Sequence, residues 1–386
     1  VPDGREPTTI KVIPAINDIA VDQWDACAGP TNPFLSHAFL SALEDSGSAS
    51  AEEGWVPQHL VIEDEDGALI AAAPLYLKTH SHGEYIFDWA WADAYHRAGG
   101  EYYPKLLCAV PFTPASGPRL LIHPDADSDL ANVLIRGMIQ LAQKLDLSSL
   151  HINFLTPEQF KRCADNGMLQ RVSRQFHWEN RGYTTFDDFL GDLTSRKRKA
   201  IRKERRSVAE SGVEIKVVTG NDLTEEHWDA FFRFYRDTTD RKWGQRYLTR
   251  RFFSLLGERM GDRVALVLAV ADGTYVGGAL NLIGDDTLFG RYWGSIEDYK
   301  FLHFEACYYR AIDFAIERGL KWVEAGAQGP HKIQRGYLPR ETYSAHWIGN
   351  EGFSRAVENF LGQEKKEIEE EMRYLAEGSP FRKDIE

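Results

Sequence analysis

Twice along its length this chain runs through the same succession of signals: short apolar runs parted by acidic or glycine turns, then a long amphipathic stretch, then one more short apolar run. In the first half, 59–64 and 69–78 read as strands joined by the turn Asp64-Glu-Asp-Gly67, 85–91 as a third strand, 129–145 as a helix and 150–154 as a strand. In the second half, 264–271, 275–283 and 288–293 read as strands joined by Asp272-Gly273 and Asp285-Asp286, with a helix over 302–318 and a strand over 322–325. Phe87-Asp-Trp-Ala-Trp91 holds the place of Phe289-Gly-Arg-Tyr-Trp293, and Phe176-His-Trp178 that of Ala345-His-Trp347. One plan used twice restricts the fold to a duplicated α/β or α+β unit.

The length, 386 residues, agrees with two domains at the usual size of roughly 100–200 residues each. The expected division is 10–185, a basic linker helix over 186–212, and 213–386. No apolar run approaches the ~20 residues needed to cross a bilayer. With no basic-then-apolar leader pattern, a cytoplasmic location is expected. Cys27, Cys108, Cys163 and Cys307 are widely spaced in apolar surroundings and read as reduced core thiols.

A net charge of −13 argues against a general nucleic-acid binder. Against that background Ser195-Arg-Lys-Arg-Lys-Ala-Ile-Arg-Lys-Glu-Arg-Arg206 stands out. Helical spacing sets Arg198, Arg202 and Arg205 on one stripe, with Lys203 beside them, suited to phosphates of a cofactor, an RNA end or anionic lipid heads. The alternative is a solvated linker helix.

The chain lacks Gly-x-Ser-x-Gly, Gly-x-x-x-x-Gly-Lys, His-Glu-x-x-His and a strand-borne Gly-x-Gly-x-x-Gly, which removes the standard hydrolase, ATPase, zincin and dinucleotide readings. No metal is expected. Polar residues concentrate instead in Glu324-Ala-Gly-Ala-Gln-Gly-Pro-His-Lys332 and Arg335-Gly-Tyr-Leu-Pro339. Gly326, Gly329 and Gly336 permit tight turns, while Glu324, His331, Lys332 and Arg335 supply base, donor and cations. Glu324 stands on a strand that otherwise reads as buried, where a carboxylate needs a partner or a task. A second cluster, Trp89-Ala-Trp-Ala-Asp-Ala-Tyr-His96, places Asp93 one helical turn before His96, able to orient its imidazole.

The segments Tyr103-Pro-Lys-Leu-Leu-Cys-Ala-Val-Pro-Phe-Thr-Pro-Ala-Ser-Gly-Pro-Arg-Leu-Leu121, the basic run, Gly290-Arg-Tyr-Trp-Gly294, His303-Phe-Glu305 and the 324–332 loop together resemble the FemAB-like predicted N-acyltransferase family, of the peptidoglycan biosynthesis/recognition type and GNAT superfamily. The likeness runs from about residue 10 to Ser379-Pro-Phe381. It implies two tandem GNAT-like domains, each a mixed, mostly antiparallel sheet flanked by helices, facing across a cleft. The sequence departs from the ordinary GNAT pattern after Trp293, where Gly294-Ser-Ile-Glu-Asp-Tyr-Lys300 lacks the glycine loop that cradles a pyrophosphate.

The resemblance implies an N-acyltransferase. The expectation is an acyl-CoA donor, with a long acyl chain, and a primary amine acceptor such as a lipid amine of the sphingoid-base type. The alternatives are an aminoacyl-tRNA-dependent transferase acting on a peptide or cell-wall amine, and a non-catalytic membrane or cell-wall interaction module. A peripheral place on the inner membrane would use 195–206. Direct attack by the amine needs a base, either Glu324 or the Asp93–His96 pair, and oxyanion donors from His331 and the amides of 326–329. Arg198, Arg202, Lys203, Lys332, Arg335, Gly326 and Gly329 are the candidate donor-binding residues. Trp91, Tyr102, Lys105, Arg291, Trp293, His303 and Glu305, with Tyr292, are the candidate substrate-binding residues.

Overall fold

The computed structural model of the chain describes residues 8–242, 246–326 and 329–383. It divides into two compact units, the first comprising Val1–Ser173 with Thr342–Glu367 and the second Arg174–Glu341 with Ile368–Glu386.

In the first unit, Ile10–Ile13, His59–Glu63, Leu69–Ala73 and Leu121–Ile122 form a four-stranded sheet. Beside it, Trp55–Pro57, Leu75–Lys78, Lys105–Cys108 and Ser149–Leu155 lie in that order, followed by the Tyr343–Ile348 portion of the strand Leu338–Ile348. Lys105–Cys108 runs antiparallel to Leu75–Lys78 and parallel to Ser149–Leu155. The parallel pair is joined through the helix Leu130–Lys144, as a parallel crossover requires. That helix buries Ala131, Leu134, Ile135, Met138 and Ala142 at helical spacing against Leu106, Cys108, Leu150 and Ile152. Strand alternation turns the residues between them to the other face: Trp55, Lys78, Lys105, Ser149, His151, Asn153, Ser344 and His346, every one buried. One side of this sheet is a conventional apolar core, and the other is a buried polar lattice.

The second unit repeats the arrangement. Glu214–Thr219, Val264–Ala271, Thr274–Ile283, Thr287–Ser295, Trp322–Glu324 and the Arg174–Glu179 portion of Leu169–Glu179 follow one another in its sheet. Thr287–Ser295 and Trp322–Glu324 are the parallel pair. The chain joining them holds the turn Leu302–Phe304, a π-helical stretch Glu305–Tyr309 and the helix Arg310–Glu317. Ile312, Ala315, Val323, Trp178 and Tyr337 fill the core beneath.

The repeated plan holds, with three corrections. The expected strand 69–78 breaks at Pro74, which cannot donate to a ladder, and its halves serve different sheets. Residues 85–91 are not a strand: irregular chain leads into the helix Trp89–Arg97, and Lys105–Cys108 takes the strand position instead. The division near 185–213 also differs, because the segment after Thr342 returns to the first unit while Arg174–Glu179 joins the second. The echo of Phe176-His-Trp178 in Ala345-His-Trp347 is positional, since His177 lies opposite Glu324 and His346 opposite His151, each pairing with the second strand of a parallel pair. Cys27, Cys108 and Cys163 are buried free thiols and Cys307 is half-buried.

Candidate active site

The parallel strands of the second unit stay paired only through Thr287↔Trp322, Leu288↔Val323 and Phe289↔Glu324. Beyond that point they part. Thr287–Ser295 continues beside Thr274–Ile283, whereas Ala325 turns to Phe176, donating its N–H to that carbonyl at 3.1 Å. Just past the parting, the ladder shifts from Asn281↔Gly290 to Leu280↔Tyr292, leaving Arg291 as the extra residue of a bulge. The buried Asn281 amide donates to the carbonyls of Ala265 at 3.2 Å and Ala279 at 3.4 Å. Glu324 ends the shorter strand with its carboxylate 3.9 Å from His177, whose imidazole is held neutral by burial, with Arg340 and Lys332 adding to the effect, its pKa lowered to about 3.

Aromatic and imidazole rings gather around the helical connection of this unit. His303 packs 5.5 Å from Trp293, 5.3 Å from Tyr308 and 6.2 Å from His331, centroid to centroid. The Tyr308 hydroxyl and His331 Nε2 are 3.1 Å apart. Partial burial, then Arg335 and Lys332, hold His331 below the ordinary imidazole value, so its exposed ring is neutral at pH 7. Trp293, His303 and His331, widely separated in sequence, thus come together, and a π-helical turn beside them is a frequent mark of a functional site.

The structure corrects several assignments made from sequence. Lys332 is buried and donates to the carbonyls of Ala325 and, at 3.0 Å, Gly326; burial pulls its pKa down to about 8. It clamps the turn after Glu324 rather than facing a donor. Arg335 is buried too, bound to both Glu204 oxygens at 3.0 and 2.9 Å and to the His331 carbonyl at 2.9 Å, with its guanidinium 3.5 Å over Phe304. Arg205 turns inward to Glu305 and Asp313, and Arg310 also meets Glu305, so Glu305 is saturated by cations of its own unit. The charge stripe expected on the helix Ser195–Glu210 is therefore split: Arg202 and Lys203 are exposed, Arg198 is half-buried, and Arg205 is structural. Arg202 meets Asp187 at the surface at 2.8 Å. Gly326 and Gly329 both have positive φ, 75° and 100°. Of the amides expected over 326–329, those of Ala327 and Gln328 lie outside the described residues.

In the first unit Asp93 and His96 both face solvent on the helix Trp89–Arg97, and among the described residues no hydrogen bond joins them. The expected orienting pair is absent there. Trp91, Tyr102 and Lys105 are instead buried in the polar lattice. Lys105 Nζ donates to Ser81 and Glu84, each at 2.8 Å, and to Asp88. The Tyr102 hydroxyl donates to Asp88 at 2.8 Å. Burial opposes the Lys105 charge, but Glu84 and Asp88 outweigh it and raise its pKa; burial likewise works against the Asp88 carboxylate, which Lys105 holds well below its ordinary value. Glu84 goes the other way, pushed up to about 7 by burial. His151 lies 3.7 Å from Asp88, yet burial keeps it neutral, and its Nδ1 is 2.6 Å from His346 Nδ1 beneath the Trp91 ring. Sequence reasoning missed Lys78, Glu84, Asp88, His151 and His346. The available signal was the lysines and histidine standing inside apolar strand runs, Leu-Tyr-Leu-Lys78, Lys105-Leu-Leu-Cys and Leu-His151-Ile.

The family model FemAB_like, described as peptidoglycan biosynthesis/recognition, matches residues 15–383. The chain belongs to the FemAB-like family. It is an acyltransferase with a GNAT-like fold of mixed, mostly antiparallel sheets flanked by helices. No curated protein matches the sequence. Among solved structures, this FemAB-like chain is similar to FemX, at 12% identity and a TM-score of 0.55, over 88% of this chain and 98% of that one. It is similar to the C-terminal domain of a putative lysylphosphatidylglycerol synthetase from Agrobacterium fabrum, at 10% identity and TM-score 0.54, over 89% and 95% of the two chains. A tandem GNAT protein from the clavulanic acid biosynthesis pathway follows at 13% identity and TM-score 0.50, over 89% and 99%. At these identities the likeness is one of fold. Among the described residues no helix is long and apolar enough to cross a membrane.

Proposed function

We propose that this FemAB-like protein transfers an acyl group from acyl-CoA to a primary amine, with the reacting centre where the strands Thr287–Ser295 and Trp322–Glu324 part. The observation that carries the reading is that parting, with Glu324 at one lip, the Arg291 bulge at the other, and neutral His331 near Trp293 and His303. Glu324 takes a proton from the acceptor ammonium. The freed amine attacks the thioester carbonyl carbon, and the C–N bond forms as the C–S bond breaks. The amine's surplus proton leaves with the CoA thiol, so no covalent enzyme intermediate is needed. His331, neutral and steadied by Tyr308, donates toward the developing oxyanion. Trp293, on the face of the sheet that carries His303, lines the path of a long acyl chain, which suits an amphipathic amine of the sphingoid-base type, whereas Tyr292 turns to the other face against Tyr235.

Exposed Arg202 and Lys203, with half-buried Arg198, receive the donor phosphates. Their helix packs through Glu204 and Arg205 on the segments that carry His331 and His303. The wider exposed set, Arg196, Lys199, Arg202, Lys203 and Arg206, favours a second reading in which the donor is aminoacyl-tRNA and the acceptor a peptide amine.

The deciding experiment supplies a long-chain acyl-CoA or an aminoacyl-tRNA with a panel of primary amines and follows thiol release or deacylation. Under the first reading, acyl-CoA alone is consumed, and Glu324→Gln lowers kcat about 100-fold or more without weakening donor binding. Consumption of aminoacyl-tRNA alone would replace the donor, and full activity in Glu324→Gln would remove Glu324 from the mechanism.

A further inference from the structure

The polar face of the first unit contains more hydrogen-bonding capacity than the protein itself uses. Lys105 is saturated by Ser81, Glu84 and Asp88, but its neighbours are not. Lys78 lies directly across the strand ladder from Lys105, fully buried, over the Trp55 ring at 3.7 Å. Its only hydrogen bond among the described residues is a long one, 3.4 Å, to the His82 carbonyl. Trp55, next in register, has a buried indole N–H with no acceptor among the described residues. On the acceptor side, Glu84 Oε1 and Asp88 Oδ1 are buried without a donor among the described residues.

The segment 79–88, irregular chain between the strand Leu75–Lys78 and the helix Trp89–Arg97, carries Glu84 and Asp88 and passes beside Trp55. It lies close: a Cβ on Gly83 would fall 2.5 Å from the Phe112 ring and 3.4 Å from the Trp55 indole, and Gly83 has φ +78°. Unpaired buried donors and acceptors each cost a desolvation penalty, and native proteins keep few of them without a reason. Here Lys78 and the Trp55 indole have donor capacity to spare, and Glu84 and Asp88, whose charges act on Lys78, each keep one oxygen without a donor among the described residues. Burial brings Lys78 down to about 7 and Glu84 up to about 7, so the cluster sits near electrical balance at neutral pH. A singly charged ligand would upset that balance, whereas one with both signs keeps it.

We infer that the cluster formed by Trp55 and Lys78 with Glu84 and Asp88 of the segment 79–88 is a binding site for a small zwitterion, a free α-amino acid. The ligand ammonium meets Glu84 Oε1 and Asp88 Oδ1, and its carboxylate meets Lys78 Nζ and the Trp55 N–H. This site is in the first unit and does not rest on the acyl-transfer reading of the second.

The test is binding, read without turnover. The full chain is titrated by thermal shift and calorimetry with each of the common L-amino acids, and with acetate and methylammonium as ligands carrying only one of the two charges. At least one amino acid should bind, with neither single-charge control shifting the melt. Lys78→Met and Trp55→Phe should each weaken that binding by about tenfold, the scale of a lost hydrogen bond to a charged group. Lys78→Met should leave the unliganded protein at least as stable as the parent, since no carboxylate loses a hydrogen bond; Trp55→Phe keeps the ring should that variant fail to fold. No binding by any amino acid, equal binding by acetate or methylammonium, or unchanged affinity in the variants would overturn the inference and leave ordered water as the occupant.

Discussion

The imidazole of His331 folds back over Gly329 so closely that a Cβ on Gly329 would lie 2.4 Å from its Cε1. With φ +100° at the same residue, glycine is required twice over at this position. Gly329→Ala should therefore swing the ring away from Tyr308 and cost about 1–3 kcal/mol of local strain. Steady-state kinetics should show kcat falling at least tenfold with donor affinity kept. Undiminished turnover would mean that His331 has no part in the reaction.

Two arginines of one helix should behave in opposite ways. Arg205 neutralises the buried Glu305 together with Asp313, so Arg205→Met should cost about 2–4 kcal/mol in urea denaturation. Arg202 is exposed, and its ion pair with Asp187 contributes little to stability. Arg202→Ala should leave the denaturation midpoint in place and weaken donor binding severalfold, more so at low salt. If Arg202→Ala leaves donor affinity unchanged at all ionic strengths, the phosphates bind elsewhere.

Arg335 and Lys332 mark the limit of what was legible in the sequence. Period and turn chemistry placed four strands of the second half to within a residue or two, because apolar alternation and acidic turns are local properties, but left Glu214–Thr219 and Leu338–Ile348 uncalled. Arg335 and Lys332 were assigned to a donor because polarity is visible locally but partnership is not: the carboxylate that holds Arg335 is 131 residues away. Lys78 and His151 went unnoticed for a related reason. An alternating strand reads as half apolar and half solvent-facing, and nothing local reveals that the polar half is buried as well.

Stability should depend on pH through that polar face. Glu84 has its pKa raised by burial from 4.5 to about 7, so its contribution is complete below pH 4.5 and is lost as pH rises through 7. Lys78 has its pKa lowered by burial from 10.5 to about 7, so its contribution is complete above pH 10.5 and is lost as pH falls through 7. Lys105 and Asp88 face both groups and stay charged throughout this range. His151, His177 and His346, lowered by burial, act in the opposite sense and add stability as pH rises toward 6.5. Glu84 is therefore read as a difference: the melting temperature of the parent minus that of Glu84→Gln should fall between pH 5 and 7, measured by circular dichroism. A difference that stays constant over that interval would show that Glu84 does not titrate there.

A fragment ending before Thr342 should not hold a native first unit. It lacks Tyr343–Ile348, which covers Ser149–Leu155 along its length, and with it His346, the partner of His151. The fragment 1–185 should give the poorly dispersed amide spectrum of a partly ordered chain, and adding 342–367 in trans should sharpen it. A well-dispersed spectrum from 1–185 alone would show that the returning strand is dispensable.

The return of Thr342–Glu367 also sets a timetable for synthesis. The ribosome delivers Ser149–Leu155 long before it delivers the strand that pairs with it, and the whole of Arg174–Glu341 emerges in between. During that interval the nascent first unit presents an open strand edge carrying buried-type residues, the kind of surface that chaperones bind and that neighbouring nascent chains pair with. Slow elongation through 174–341 would lengthen that exposure, so the yield of native protein is tied to translation speed across a stretch that mostly builds the other unit.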